Sequence, residues 1–229
     1  MHFLIDNKFK VIFAFSAKCG CSSVKKIFLE NTSNTELIDL YKFNKTMHFN
    51  ETCNKLPDNF ENFYIIIFIR NPYKRLVSGF FNKYLIGKQY RSRWKKNEPI
   101  NFENFVNTIC HEGLGNNIER HHFTPQTSEK WEDRLIEHKN LTFMKISDID
   151  YSLLNTIFKT DKIKEIHYNN TNITEYNSIE NAWNIQIDEL FSMSPDYSCL
   201  YNKELKEKVY NFYKKDFEVF KKFGFDFDI

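Results

Sequence analysis

Glycine and proline are scarce in this 229-residue chain, 6 and 5 in all, and no low-complexity stretch marks a linker. A single domain over residues 1–229 is therefore expected, long enough to bury a sizeable core. The five cysteines, Cys19, Cys21, Cys53, Cys110 and Cys199, are odd in number and lack C-x-x-C spacing. That pattern argues against a disulfide framework or a structural zinc site, and leaves free thiols as the default. No run of 18 apolar residues occurs, and the opening "MHFLIDNKFK" is too short and too charged for a signal peptide. A chain without a membrane span, in a cytoplasmic setting, is the expectation. An excess of one charge is missing too: 32 Lys and Arg face 30 Asp and Glu, for a net +2. This balance speaks against a nucleic-acid-coating protein, and the local run "RSRWKK" (91 to 96) reads first as a solvated loop.

What is abundant is aromatic. Phe and Tyr number 24 and 12, and hydrophobic residues reach 41%, so the composition folds. An Asn, Lys, Ile, Phe and Tyr bias of this kind accompanies AT-rich coding, and a lone Asn or Lys carries little weight. The continuous apolar run "KVIFAF" (10 to 15) suits a buried parallel strand, and "SSVKKIFLEN" (22 to 31) has the spacing of a helix. A second such unit follows: the strand "NFYIIIFIR" (62 to 70), then Pro72 at a first helical turn, then Leu76, Val77, Phe80, Phe81 and Tyr84 at helical spacing. "ELIDLYKF" (36 to 43) is a weaker strand candidate. "NFENFVNTIC" (101 to 110) reads as a helix, "LTFMKI" (141 to 146) as a strand, with Ser147 placed to cap the helix after it. A final amphipathic helix is expected over "ELKEKVYNFYKKDFEVFKKF" (204 to 223), packing on the sheet. Alternating strands and helices predict an α/β fold, a P-loop-like three-layer domain with a central parallel sheet flanked by helices. Ligands bind such sheets beyond the carboxyl ends of the strands.

Two strand-to-helix turns carry the chemistry. After Phe15, "SAKCGCSS" supplies Lys18, a Gly and small residues whose backbone amides suit an anion at a helix N-terminus. The G-x-x-x-x-G-K-[ST] order of a Walker loop is absent, since Lys18 precedes its Gly. Alone, the turn is equally well a plain turn with a surface Lys. The second turn, "IRNPYKRLVSGF", sets Arg70 at a strand's carboxyl end and Ser78 eight residues on, a guanidinium fork and a hydroxyl suited to a terminal phosphate. Together they suit one nucleotide with two separated phosphate groups.

These two motifs resemble the 5′-phosphosulfate loop and the 3′-phosphate motif of sulfotransferases that use 3′-phosphoadenosine 5′-phosphosulfate (PAPS). More narrowly, "HFTPQ" (122 to 126), "FMKISDI" (143 to 149) and "YNFYKKDFEVFKKFGF" (210 to 225) are similar, in the same order, to landmarks of Golgi carbohydrate sulfotransferases. The membrane anchor and disulfides of those enzymes are not expected from the residues given, and Ser22-Ser23 stands where a Thr-containing pair is usual. The resemblance implies Lys18 at the bridging oxygen and 5′-phosphate, with Cys19, Gly20, Cys21, Ser22 and Ser23 around the 5′ end. It implies Arg70 and Ser78 at the 3′-phosphate, a carbohydrate acceptor and no metal.

An acceptor hydroxyl needs a base, and histidine titrates near neutrality. His48 precedes Arg70 by about 22 residues, a separation at which several sulfotransferase branches place a catalytic histidine. His122 and Glu51 are the alternatives. The segment of His122 and Gln126 is expected to face the acceptor. Two other functions stand beside the sulfotransferase: a binding protein of similar build without turnover, and a P-loop-type nucleotide kinase, which the missing Gly-Lys-[ST] and Mg²⁺ carboxylates disfavour. Acceptor identity and oligomeric state are not legible.

Overall fold

A strand that is apolar at every position must be covered on both faces, and the computed structural model places "VIFAF" in that situation. It describes residues 1–33, 35–36, 38–39, 55–86, 90–94, 98–114, 118, 120–127, 135–164 and 176–229. The chain folds as two units, Met1–Arg70 with Gln126–Asn170, and Asn71–Pro125 with Thr171–Ile229.

The first unit holds a four-stranded sheet in the order β1 (His2–Asp6), β2 (Val11–Phe15), β3 (Tyr64–Ile69), β4 (Leu141–Lys145). β2, β3 and β4 run parallel, and β1 adds an antiparallel edge with Phe3 opposite Ala14. The α/β class with a mostly parallel sheet flanked by helices is thus established. The N-terminal decapeptide, which carried no strand expectation, forms this edge hairpin. Helix α1 (Cys21–Asn31) follows β2, and its Val24, Ile27 and Phe28 pack on Val11, Phe13, Phe15, Ile66 and Phe68. Alternation along each strand puts those side chains on one face. Phe13 sits at 5.2 Å from Phe28 and 5.0 Å from Phe68 in edge-on pairs, each worth about 1 kcal/mol beyond burial.

One carboxylate fastens the hairpin to the end of α1. Asp6 is fully buried, and its oxygens accept from the Lys8 and Phe9 amides at 2.8 and 2.9 Å. They also accept from the Thr32 hydroxyl and the Ser33 amide, both at 2.6 Å. Thr32 in turn closes α1, its amide donating to Phe28 at 2.8 Å.

Two expectations are corrected in this unit. Thr35, Glu36, Ile38 and Asp39, within or beside the strand expected over 36 to 43, are helical, and all but Ile38 are exposed. Acidic residues three apart suit a surface helix turn and would be costly in a sheet core. The helix after β4 starts three residues later than Ser147 would set it, because Asp150 is the cap, accepting from the Leu153 amide at 2.9 Å.

In the second unit, α2 (Pro72–Phe80) begins behind Asn71, whose side chain accepts from the Tyr73 amide at 2.9 Å, and runs into a π-helical segment (Phe81–Ile86). α3 (Phe102–Glu112) is capped by Asn101, and the short α4 (Arg120–Phe123) leads into Thr124. Back in the first unit, α5 (Tyr151–Phe158) follows β4. α6 (Ile187–Ser192), α7 (Lys203–Phe212) and α8 (Lys214–Lys222) complete the second unit. The one C-terminal helix expected is two, breaking at Tyr213, whose buried hydroxyl donates to the Phe123 carbonyl at 2.8 Å. Aromatics fill the core: Phe80 lies 4.9 Å from Phe105, and Phe102 5.1 Å from Tyr201.

Burial works to raise the Asp6 carboxyl, but the donors from Thr32, Phe9 and Ser33 together bring it below its ordinary value. A carboxyl lowered on folding contributes stability that is present above the unfolded value and lost as pH falls through the folded one. Replacing Asp6→Asn should therefore cost about 2 kcal/mol in urea unfolding at pH 7. The gap to wild type should narrow as pH drops below about 4; an equal gap at pH 3 and pH 7 contradicts the assignment.

Candidate active site

The chain leaves β2 at Phe15 and must reverse within five residues to start α1 at Cys21. Two left-handed residues make the turn, Lys18 at φ 66° and Gly20 at φ 67°. For a lysine this conformation costs about 1 kcal/mol, and it is held from both sides. The Cys19 amide donates to the Ser16 carbonyl at 3.2 Å, and the Arg70 guanidinium donates through Nη1 to the Lys18 carbonyl at 3.2 Å. Gly20 is required twice over. Its φ is unfavourable for any side chain, and a Cβ there would run into the Ile146 side chain just beyond β4. Gly20 also brings no side chain to cap α1, so the first turn presents backbone amides in the manner of an anion cradle.

The two loop cysteines serve as small hydrogen-bonding residues. Cys21 donates from Sγ to the Ser16 carbonyl at 3.3 Å, and burial pushes its thiol up, away from thiolate character. Cys19 is buried and donates to Oε1 of Gln126 at 2.9 Å. Cys110 and Cys199 are likewise free thiols. Ser22 is exposed and Ser23 half-buried on the first turn of α1.

Arg70 is the residue after β3, half-buried, where the ladder to β4 ends with the Ile146 amide on the Ile69 carbonyl at 3.0 Å. Its own backbone groups are taken by Gln126: the Arg70 amide donates to Oε1 at 2.9 Å, and Nε2 donates to the Arg70 carbonyl at 2.8 Å. The backbone carbonyl of Gln126 accepts from the Ser16 hydroxyl at 3.4 Å.

Lys18, Cys19, Gly20, Cys21, Ser22, Ser23, Arg70 and Gln126 are thus all in the first unit, at the carboxyl ends of β2 and β3. The surprise is Gln126, expected to face the acceptor. Its side chain is 1% exposed and engaged with Arg70 and Cys19. Ser16 and Ile146 were not expected at the site; nothing in "FSAKCG" or "MKI" marks them except their place at strand ends. Ser78 and His122 belong to the second unit. Ser78 is half-buried on α2, and His122 is partly exposed on α4 with its ring 5.1 Å from that of His121. In the same unit the segment after His122 is pinned by backbone carbonyls: Arg75 donates to Thr124 at 2.9 Å and Tyr213 to Phe123. His48 and Glu51 lie outside the described residues.

A lysine and a helix N-terminus at one strand end, locked to an arginine at the next, suit a charged group-transfer substrate and carry no Walker lysine. Against family models, residues 1–224 match the sulfotransferase family. The chain belongs to the sulfotransferase family. No curated protein and no solved structure matches it. Family membership over nearly the whole sequence supports sulfuryl transfer as the general activity of this sulfotransferase. Among the described residues, no three or more His, Cys, Asp or Glu side chains are grouped to hold a metal ion, and no helix is long and apolar enough to cross a membrane.

Because Gly20 answers both a backbone and a packing demand, Gly20→Ala should lower stability by about 2 kcal/mol. Combining it with Ile146→Ala should remove the clash and leave about 1 kcal/mol from the left-handed φ. A double-mutant cycle by urea unfolding reads the coupling; two strictly additive costs would contradict the packing.

Proposed function

We propose that this sulfotransferase takes its sulfuryl group from PAPS and delivers it to an acceptor hydroxyl, on a carbohydrate. The observation that supports this most is the lock between Arg70 and the Lys18 carbonyl, which joins the two motifs at adjacent strand ends. The nucleotide supplies an activated sulfuryl group on its 5′-phosphate, and the chain's residues position it and receive charge. Sulfuryl transfer is in-line displacement: a bond forms from the acceptor oxygen to sulfur while the bond from sulfur to the phosphate oxygen breaks.

In this proposal the backbone amides from Gly20 to Ser23 and the Ser22 and Ser23 hydroxyls hold the 5′-phosphate, with Cys19 shaping the loop through its bonds to Ser16 and Gln126. The Lys18 ammonium neutralises the negative charge that grows on the departing phosphate oxygen, the role in which preorganised cations contribute most. Arg70 and Ser78 are assigned to the 3′-phosphate on their contiguous motif, and a 3′-phosphate is what separates PAPS from ATP. His48 takes the proton of the acceptor hydroxyl, on the strength of its spacing from Arg70. His122 is proposed on the acceptor side, in keeping with the carbohydrate sulfotransferase landmarks around it. A cytoplasmic setting for the chain stays a proposal of the same kind.

Ligand-induced stabilisation separates the reading from nucleotide kinase chemistry. The desulfated product, 3′-phosphoadenosine 5′-phosphate, at about a hundredfold excess over Kd should add about 2.7 kcal/mol, or roughly 5 to 10 °C in Tm. ATP with Mg²⁺ should add far less; stabilisation by ATP alone rejects the proposal. Arg70→Ala should weaken binding of that product at least about tenfold by calorimetry. With an acceptor that gives turnover, His48→Ala should lower kcat by about 10² or more while nucleotide affinity holds. Wild-type turnover in that variant would move the base to another residue.

A further inference from the structure

We infer that Gln126 is a positioning residue of the nucleotide site, setting Arg70 and the Lys18 loop in register, and does not contact the acceptor. This inference rests on the PAPS reading above. It comes from what happens to backbone hydrogen bonds where the sheet stops. Ile69 is the last residue of β3, and its carbonyl still receives a strand-type bond, from the Ile146 amide. Arg70 has left the ladder, and a half-buried backbone amide and carbonyl need partners there.

The side-chain amide of Gln126 supplies both, donating to the Arg70 carbonyl and accepting from the Arg70 amide at 2.8 and 2.9 Å. An amide paired this way with one residue imitates a neighbouring strand and fixes the plane from which the guanidinium departs. Neither a hydroxyl nor a carboxylate holds both contacts in this geometry at neutral pH. The same Oε1 accepts the Cys19 thiol at 2.9 Å, and the backbone carbonyl of Gln126 accepts the Ser16 hydroxyl at 3.4 Å. Ser16 and Cys19 flank Lys18 on either side. The guanidinium of Arg70 then returns to the Lys18 carbonyl, closing a ring of contacts through Gln126, Arg70, Lys18 and Cys19.

The side chain is 1% exposed and faces these partners. A contact with a bulky acceptor would require it to leave them. The consequence is coupling: disturbing Gln126 moves the arginine proposed for the 3′-phosphate and the lysine proposed for the 5′ end together.

Calorimetric titration of 3′-phosphoadenosine 5′-phosphate into the full chain, with Gln126→Leu, Arg70→Ala and the double variant, tests this. Gln126→Leu should weaken binding about tenfold in the wild-type background and clearly less once Arg70 is Ala, since the part of the effect that runs through the Arg70 guanidinium is then gone and only the part through the Lys18 loop is left. Gln126→Glu, nearly isosteric, removes the donor to the Arg70 carbonyl; it should show the same nucleotide loss near pH 8 and guards against a Leu variant that does not fold. Full additivity of the two losses would overturn the inference. So would unchanged nucleotide affinity accompanied by a raised KM for the acceptor, which would return Gln126 to the acceptor side. If wild type itself fails to bind this nucleotide, the PAPS reading is what fails; if wild type binds and Gln126→Leu binds equally well, only the role of Gln126 does.

Discussion

A parallel sheet holds its strands only as far as its hydrogen-bond ladder runs, yet the residues just past the ladder are the ones that meet a ligand. In this chain that constraint falls on Ser16 to Gly20 after β2 and on Arg70 after β3. Both segments carry buried or half-buried backbone that the sheet no longer serves. The pairing of the Gln126 amide with the two backbone groups of Arg70 meets the need at β3, and the Ser16 and Cys19 contacts to the same residue extend it to β2. The left-handed Lys18 is tolerable because its carbonyl and the next amide are both engaged. Gly20 is fixed by the Ile146 side chain as much as by its own φ.

This arrangement explains why cysteines sit in the loop without cysteine chemistry. A protonated thiol is a weak donor of modest volume, and both Cys19 and Cys21 spend that donor inside the first unit. The Cys21 thiol, pushed up by burial, is a poor thiolate and so a poor nucleophile or metal ligand. What reactive charge the loop offers comes from Lys18 and the start of α1.

The sheet was legible in the sequence where a strand was apolar throughout. "VIFAF" and "YIIIFI" announce buried parallel strands, and Asn71-Pro72 announces the start of α2. The edge strand β1 was not, because "HFLID" borrows its stability from pairing with β2 and from Asp6 reaching Thr32 and Ser33, partners far along the chain. The helical residues 35, 36, 38 and 39 were misread because "ELIDL" fits either period over so few residues. Lys18 and Arg70 were found as a pair because each lies within three residues of the carboxyl end of an apolar strand. The work of Gln126 was hidden, since its partners lie 56 and 107 residues away and a glutamine amide has no local pattern that reveals burial. The break at Tyr213 was hidden for the same reason: helical spacing continues through it, and its partner Phe123 lies 90 residues away.

The proposed role of Lys18, in a loop locked to Arg70, is to support transfer of a sulfuryl group from PAPS to a hydroxyl. It is tested most directly by incubating the full chain with PAPS carrying labelled sulfate and a panel of glycans, phenols, steroids and tyrosyl peptides, with Lys18→Ala run in parallel. Label on a glycan hydroxyl is expected with the wild-type chain, and loss of at least about 10² of that rate in the variant. No transfer to any class of acceptor by a chain that still binds the nucleotide, or equal transfer by Lys18→Ala, would contradict it.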